Sequence, residues 1–234
     1  MIKLSIIFPC YNEAENIPTL INDCKKYLCK YKSELEIVLV NNGSKDNTKK
    51  IFDKLLQESD FFKVVNIKKN QGYGYGILKG LSVAKGKYIG WMHADLQTDP
   101  KDIIKVLNII GNTENLYIKG KRKNRAITDN FFTVLMSLFC SLVFRKIIFD
   151  INAQPNIFPK EFFDSWINPP KHFGLDTFCY CMAIKKKLRI IKFEVFFGKR
   201  TAGEAHLYSF SSKISYSINA LKYIFELKRN INKK

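Results

Sequence analysis

The stretch Trp91-Met-His-Ala-Asp-Leu-Gln-Thr-Asp-Pro100 decides the fold of this chain. The apolar segment Tyr88–Met92 predicts a buried strand that ends in a short acidic loop. Asp99-Pro100 then predicts the first turn of a helix over Pro100–Ile110. In open α/β folds, ligands bind at the carboxyl ends of the parallel strands. The stretch therefore predicts an α/β protein with Asp95 at a ligand site.

Apolar segments of strand length alternate with helix patterns through the first half of the chain. Strands are predicted at Leu4–Pro9, Leu35–Val40, Phe62–Ile67, Tyr88–Met92 and Leu116–Gly120, and helices at Glu15–Tyr31, at residues 48–58, up to Ala84 and at Pro100–Ile110. Such alternation predicts a Rossmann-like, mostly parallel sheet that is sandwiched by helices.

The second half of the chain has a mainly helical pattern. A long apolar helix is predicted from Asn130 to Phe149, followed by a turn over Asp150–Pro159, helices at Lys160–Trp166 and Leu175–Lys187, a strand at Ile190–Phe196 and an amphipathic helix at Ser212–Asn230. We expect one domain over residues 1–210 and a C-terminal amphipathic, basic helical segment over residues 211–234.

Positive charge is concentrated in the second half. The net charge is +18, and residues 118–234 carry 22 Lys and Arg against 8 Asp and Glu, whereas residues 1–117 carry 17 against 13. Such an excess is typical of proteins that bind an anionic membrane surface, a phosphate substrate or nucleic acid, and also of a lysine-rich proteome. Because no nucleic-acid-binding motif accompanies the charge, nucleic acid is the least favoured partner.

Three features of the sequence indicate where in the cell the protein is found. Met1-Ile-Lys-Leu runs straight into a predicted strand, so no signal peptide is expected. The six cysteines show neither zinc-ligand spacing nor a disulfide framework, which favours a reduced chain. The run Phe131–Phe144 is too short to span a bilayer and predicts a core or interfacial helix. We expect a cytoplasmic protein, peripheral on the inner face of the membrane.

Polar side chains follow the first predicted strand. Tyr11, Asn12 and Glu13 come directly after Pro9, so they lie at the carboxyl edge of the sheet. A carboxylate there accepts hydrogen bonds from ribose hydroxyls, and an aromatic ring packs on a base. The alternative is a helix start, where Asn12 caps and Glu13 complements the helix dipole.

These segments resemble a known signature. Pro9-Cys-Tyr-Asn-Glu13 and His93-Ala-Asp-Leu-Gln97 are similar to motifs of family 2 glycosyltransferases with the GT-A fold. Within that family they are most similar to the branch of dolichol-phosphate mannose synthase and the bacterial polyprenyl-phosphate glycosyltransferases. Further similarities are found in residues 41–48, 70–80, 120–122, 150–158 and 200–206.

The resemblance implies a binding site for a nucleotide-sugar donor. Asn41 and Asn42 replace acidic residues of the family, which leaves the base of the donor open. The glycines at 72, 74 and 76 do not have the spacing of a dinucleotide fingerprint, and close backbone approach is their alternative role. The positions implied for donor binding are Pro9, Tyr11, Glu13, Asn42, Asn70, Gly74, His93, Ala94 and Arg200.

The resemblance also implies a divalent cation. Asp95 matches the metal-binding and catalytic aspartate of the family, and Gln97 offers a second oxygen to Mn²⁺ or Mg²⁺. His93 replaces another aspartate, which favours Mn²⁺ over Mg²⁺. Asp99 is expected only to cap a helix.

On the acceptor side, the resemblance implies Arg122, Asp150 and Gln154. Arg122 would bind an acceptor phosphate with its guanidinium fork, although a solvated charge run is the alternative. A further arginine of the family is replaced by Leu138. Asp176 would be the catalytic general base for a hydroxyl acceptor, whereas an ionised phosphate needs none. A helix cap is the alternative role of Asp176.

Together these residues predict an inverting, metal-dependent glycosyltransferase that moves a sugar from a nucleotide-diphospho sugar to a polyprenyl phosphate. One alternative is transfer to a hydroxyl of a surface glycan, in cell-wall or lipopolysaccharide biosynthesis. Another is a catalytically impaired nucleotide-sugar-binding protein, which His93, Asn41 and Asn42 motivate. An anionic membrane surface and a membrane partner subunit are the further partners expected.

Overall fold

A computed structural model describes residues 1–111, 114–123, 127–146, 148–198 and 219–229. The strands within this part of the chain are β1 (Leu4–Cys10), β2 (Leu35–Asn42), β3 (Phe62–Ile67), β4 (Tyr88–Trp91), β5 (Leu116–Lys123), β6 (Asn156–Pro159) and β7 (Arg189–Phe196). The helices are α1 (Ile17–Leu28), α2 (Thr48–Glu58), α3 (Tyr73–Val83), α4 (Asp102–Ile110), α5 (Ile127–Phe144), α6 (Lys160–Asp164) and α7 (Leu175–Lys185), and residues 219–229 are also helical.

All of these strands belong to one sheet, in the order β3-β2-β1-β4-β6-β5-β7. β1 pairs in parallel with β2 and β4, β2 pairs in parallel with β3, and β5 pairs in parallel with β7. Only β6 runs antiparallel to its neighbours β4 and β5 among the described strands. The predicted mostly parallel sheet is confirmed.

Helices cover both faces of the sheet, because side chains alternate along each buried strand. Leu4, Ile6 and Phe8 of β1 pack into one apolar cluster with α1, α2 and α4. Ile7 of β1 packs into the other, with α3, α5, α6, α7 and the helical residues 219–229. The carboxyl ends of β1, β2 and β4 thus open side by side at one edge.

Several predicted boundaries were wrong. The first helix begins at Ile17, not Glu15, and gives way to a 3₁₀ turn at Cys29–Tyr31. The long apolar helix ends at Phe144, because Arg145 adopts a left-handed φ of +51°. The predicted turn over Asp150–Pro159 contains the strand β6, which is only four residues long and shows no alternation that would have revealed it.

The C-terminal amphipathic helix is described over residues 219–229, while the remainder of the predicted Ser212–Asn230 lies outside the described residues. Ile224 and Leu227 are buried in the same cluster as α5 and α7, and Phe225 lies edge-on to Phe139 of α5. The apolar face of this helix therefore packs on the sheet domain. Within the described ranges, no helix is both long enough and apolar enough to span a membrane.

Candidate active site

The loop after β1 is fixed to the loop after β2 by hydrogen bonds. The Glu13 backbone N–H donates to Thr48 Oγ1 at 3.1 Å, and the Asn12 side chain accepts the N–H of Lys45 at 2.8 Å. Ala14 N–H donates to Asp46 Oδ2 at 3.0 Å. The alternative role of Asn12 as a helix cap is therefore wrong, because its side chain is bonded to the second loop.

Glu13 is buried at this edge. Its residue exposure is 8%, and Asn16 Nδ2 donates to its Oε2 at 2.6 Å. Pro9 and Tyr11 flank it and are half-buried. A carboxylate oriented by a neighbouring amide at the carboxyl end of β1 suits recognition of hydroxyl groups.

At the end of β2, an amide takes the place of the acidic group that the family resemblance implied. Asn42 Nδ2 donates to the Gly72 carbonyl at 3.0 Å and to Asn70 Oδ1 at 3.5 Å. Asn70 Oδ1 in turn accepts the N–H of Gly72 at 2.8 Å. Asn42 and Asn70 thereby fix residues 70–72, the glycine loop that leads into α3, beside the ends of β1 and β2.

Gly74 has a packing role. A Cβ on Gly74 would lie 2.7 Å from the carbonyl oxygen of Pro170 and 2.8 Å from that of His172. The N–H of Tyr75 also donates to the Lys171 carbonyl at 3.0 Å. Close approach of two backbones therefore explains this glycine, whatever its part in donor binding.

The acidic loop follows β4 directly. Asp95 is 8% exposed, and its Oδ1 accepts the N–H of Gln97 at 3.2 Å. Gln97 Nε2 donates to the Gly198 carbonyl at 3.3 Å, and the Gly198 N–H donates to the Gln97 carbonyl at 2.9 Å. The loop is thus attached to the segment after β7.

The other residues of this loop differ in their exposure to solvent. Ala94 is buried, and His93 is half-buried with its ring edge-on to that of Phe197 at 6.0 Å between centroids. Asp99 is exposed and accepts the N–H of Lys101 at 2.8 Å. The predicted role of Asp99 as the helix cap is therefore wrong: its side chain caps the preceding turn, and α4 begins at Asp102 with Lys101 as its cap.

The loop suits a divalent cation whose coordination shell is completed by oxygen atoms of a bound substrate. In the described part of the chain, no group of three or more His, Cys, Asp or Glu side chains could hold a metal alone. Mg²⁺-type sites commonly use one or two carboxylates and complete their shell with phosphate oxygens and water. The buried carboxylate of Asp95 and the amide oxygen of Gln97 match that pattern of donors.

Asp176 lies at the centre of a hydrogen-bonded group beside the end of β4. Its Oδ2 accepts from Tyr73 Oη at 3.0 Å, and its Oδ1 accepts from Trp91 Nε1 at 3.3 Å and from Asn156 Nδ2 at 2.8 Å. The helix cap of α7 is Gly174, so the alternative role of Asp176 as a cap is wrong. Burial raises the pKa of Asp176 to about 6.

Gln154 joins this group through Tyr73. Its Nε2 donates to Tyr73 Oη at 2.6 Å, and the residue is 2% exposed. The group therefore connects the glycine loop, the end of β4, β6 and the start of α7. Gln154 and Asp176, both predicted from the resemblance, are brought together.

Arg122 and Asp150 form a buried ion pair. Arg122 Nε donates to Asp150 Oδ1 at 2.9 Å, a terminal guanidinium nitrogen donates to the same oxygen, and the Arg122 backbone N–H donates to Oδ2 at 2.9 Å. Burial acts to raise the pKa of Asp150, but the hydrogen bonds and charge of Arg122 hold that pKa below its usual value. Asp150 thus orients Arg122, whose remaining N–H groups are those it can offer to a phosphate.

Three further residues of this region were not predicted from the sequence. Lys119 is fully buried, Tyr73 connects Gln154 to Asp176, and Asn156 connects Lys119 to Asp176. Period-two alternation along β5 places Lys119 on the same face as Tyr117, which was the one available signal. Arg200, implied to bind the donor diphosphate, lies outside the described residues.

Comparison with known proteins places the chain in a family. Residues 5–179 match the model of glycosyl transferase family 2, so the chain belongs to that family. The solved structure of glucosyl-3-phosphoglycerate synthase from Mycobacterium tuberculosis, in complex with Mn²⁺, UDP and phosphoglyceric acid, superposes with a TM-score of 0.74. It is 12% identical, and the match covers 97% of this chain and 78% of that one. The fold is thus GT-A, as predicted.

Two curated relatives act on lipid phosphates, by their names. Dolichyl-phosphate beta-glucosyltransferase of Dictyostelium discoideum is 34% identical over 120 residues, which cover 48% of this chain and 37% of the relative. Undecaprenyl-phosphate 4-deoxy-4-formamido-L-arabinose transferase of Proteus mirabilis is 25% identical over 226 residues, covering 94% of this chain and 67% of the relative. The chain therefore spans little more than a third of the first relative's length.

Proposed function

We propose that the chain transfers a sugar, with inversion, from a nucleotide-diphospho sugar to a polyprenyl phosphate. The observation that carries the proposal is the shared edge of β1, β2 and β4, where Glu13 and Asp95 follow β1 and β4, and Asn42 is the last residue of β2. Ligands of open α/β folds bind at such an edge. Family membership and the names of the two relatives support the reaction and its substrates.

For the donor, Glu13 would accept hydrogen bonds from ribose hydroxyls, and Asn42 and Asn70 would define the wall beside the base. Asp95 and Gln97 would hold Mn²⁺ or Mg²⁺ against the diphosphate. A bound cation supplies charge neutralisation for the leaving diphosphate. The Mn²⁺ and UDP in the mycobacterial structure of the same fold support a donor of this class.

For the acceptor, Arg122 would bind the phosphate, oriented by Asp150. The acceptor oxygen would attack the anomeric carbon from the face opposite the diphosphate, which inverts the configuration. An ionised phosphate oxygen is already a nucleophile, so this reaction requires no general base.

A hydroxyl of a surface glycan is the second candidate acceptor, and one observation favours it. Asp176 has a pKa raised to about 6 by burial, which makes its carboxylate a stronger base than an exposed one. Transfer to a hydroxyl would use Asp176 as the general base.

Two variants separate these acceptors. Arg122→Ala combined with Asp150→Ala removes both partners of the buried pair, so no charge is left buried alone. With a phosphate acceptor, this double variant should raise the KM for polyprenyl phosphate about tenfold or more, because charge-assisted hydrogen bonds are lost. Asp176→Asn should keep kcat within about tenfold of wild type.

The matched control is Lys123→Ala with Glu194→Ala, an exposed ion pair between the same β5 and its neighbour β7. It should leave KM unchanged. If Asp176→Asn instead lowers kcat by about a hundredfold or more while the Arg122 and Asp150 variant has little effect, the acceptor is a hydroxyl.

We also propose that the protein works at the cytoplasmic face of the membrane, bound peripherally. Val134, Leu138 and Leu142 lie four residues apart along α5 and are 51%, 56% and 69% exposed. Phe225, on the adjacent helical residues 219–229, is 57% exposed. The exposed basic residues Arg145 and Lys146 directly follow α5, and the exposed Lys222 and Arg229 belong to the helical residues 219–229. Apolar side chains with basic neighbours are typical of surfaces that bind anionic lipid.

A further inference from the structure

Lys119 is buried beneath the acceptor side of the site. It has no exposed surface, although the side chain carries an amino group at its end. Its Nζ donates to the carbonyl oxygens of Ile151 at 2.6 Å and Ala153 at 2.7 Å, and to Asn156 Oδ1 at 2.8 Å. An ammonium group has three N–H donors, and this geometry uses all of them. A lysine is rarely buried unless its charge has a partner, so this position calls for one.

The partner is reached through Asn156. Tyr117 Oη donates to Asn156 Oδ1 at 2.7 Å, as Lys119 does, so two donors converge on one amide oxygen. The amide nitrogen must then face the other way, where it donates to Asp176 Oδ1 at 2.8 Å. Lys119 thus helps to fix the orientation of the Asn156 amide, so that its nitrogen, and not its oxygen, faces Asp176.

Asp176 transmits this arrangement to the donor side. Its two oxygens accept from Tyr73, at the start of α3, and from Trp91, at the end of β4. The acidic loop with Asp95 begins directly after Trp91. A protonated Asp176 would have one acceptor fewer for these donors, so the arrangement depends on its negative charge.

We propose that Lys119 is a positioning residue: its charge, together with the Asn156 amide, keeps Asp176 ionised and so holds Tyr73 and Trp91 in place. This inference rests on the proposed function only for its effect on transfer. The electrostatics point the same way. Burial lowers the pKa of Lys119 to about 8. Burial also raises the pKa of Asp176 to about 6, and the positive charge of Lys119 opposes that rise. Between these values both groups are charged.

Other groups near Asp176 also influence its pKa. The titratable or charged ones are Tyr73 on α3, Tyr117 and Arg122 on β5, and Cys179 on α7. Burial raises the pKa of Tyr117 and of Cys179, so both are neutral near pH 7. Arg122 is paired with Asp150. The remaining cation near Asp176 is Lys119, which is connected to it through the Asn156 amide.

The test is the titration of Asp176 in the full chain, followed by carbon NMR of its carboxyl group and assigned with Asp176→Asn. In Lys119→Met, the midpoint should rise by about one pH unit or more, because a nearby positive charge is lost. The rate of transfer at pH 6, relative to that at pH 8, should fall by less than about tenfold, which is the limit expected for Asp176→Asn. A purely structural role would lower the rate equally at both pH values.

The matched control is Lys192→Met. Lys192 is paired with Lys119 in the register of β5 and β7 and lies over the same Tyr180 ring, but its Nζ donates to the Phe149 carbonyl instead. It should leave the Asp176 midpoint unchanged. Equal midpoints in wild type and Lys119→Met, or equal shifts in the two variants, would overturn the inference.

A further measurement needs no variant. In the wild type, the Asp176 resonance should show a second inflection at the pH where Lys119 loses its proton, below the usual range of a lysine, and the lack of any second inflection would contradict the proposal. Both readings are independent of catalysis. Failure to transfer any sugar would therefore count against the proposed function, and a flat Asp176 response against the role of Lys119.

Discussion

At the scale of single residues, Asp95 is the side chain on which the proposed chemistry depends most. Asp95→Ala should lower the rate of transfer by at least about a hundredfold, because the cation that neutralises the diphosphate loses its carboxylate ligand. The thermal unfolding midpoint should change little. Asp99→Ala is the control, since Asp99 is exposed in the same loop region and caps a turn. Equal losses in the two variants, or turnover of Asp95→Ala within about tenfold of wild type, would remove Asp95 from the metal site.

Residues that follow directly after a strand were predictable from the sequence. The sequence places Glu13 and Asp95 at the sheet edge because strongly apolar strand patterns precede them. Asp176 and Tyr73 are far apart in sequence, and their hydrogen bond depends on how α3 and α7 pack. The cap roles considered for Asn12 and Asp176 were wrong, because tertiary partners took both side chains.

At the scale of elements, the packing of α3 against the loop before α7 determines how the glycine loop is held. Gly74→Ala should destabilise the fold by about 2 kcal/mol, because its Cβ would meet backbone oxygens of Pro170 and His172, which cannot move independently. The thermal midpoint should fall by roughly 4 to 8 °C.

Gly198→Ala is the control for that experiment, because the nearest atom to its added Cβ is at an ordinary 3.4 Å. Its stability should stay within about 0.5 kcal/mol of wild type. An unchanged midpoint for Gly74→Ala would mean that the two backbones are not packed as described.

The elements themselves were predicted unevenly. β1 to β4 were predicted at the right places along the chain with nearly the right ends, because apolar runs and turn residues separate them clearly. β6 was missed, since its antiparallel pairing with β4 and β5 is a contact between distant segments. Without β6, the sequence predicts a parallel sheet but not the insertion that brings Asn156 beside Asp176.

At the scale of the whole molecule, the exposed apolar stripe of α5 should bind a membrane surface. Leu138→Gln with Leu142→Gln should weaken binding to anionic vesicles about tenfold or more, because apolar area that would be buried in the bilayer is lost. Roughly 0.5 M salt should also weaken binding of the wild type, since it screens the basic residues.

Leu56→Gln is the control for the vesicle experiment, because Leu56 is 48% exposed on α2, which covers the other face of the sheet. It should bind vesicles as the wild type does. Equal partitioning to neutral and anionic vesicles would contradict the electrostatic part of the proposal. Loss of a dimer, rather than of vesicle binding, in the α5 double variant would identify a second copy of the chain as the occupant.

Transfer of a sugar to a lipid phosphate is tested by analysis of the lipid product. The full chain is incubated with Mn²⁺, polyprenyl phosphate and a panel of nucleotide sugars, and the lipid is examined by mass spectrometry, with Asp95→Ala in parallel. With at least one donor, we expect a lipid that is heavier by one sugar residue, and we expect no such lipid with the variant. A lipid left unmodified by every donor, alongside clear transfer to an oligosaccharide, would contradict this expectation.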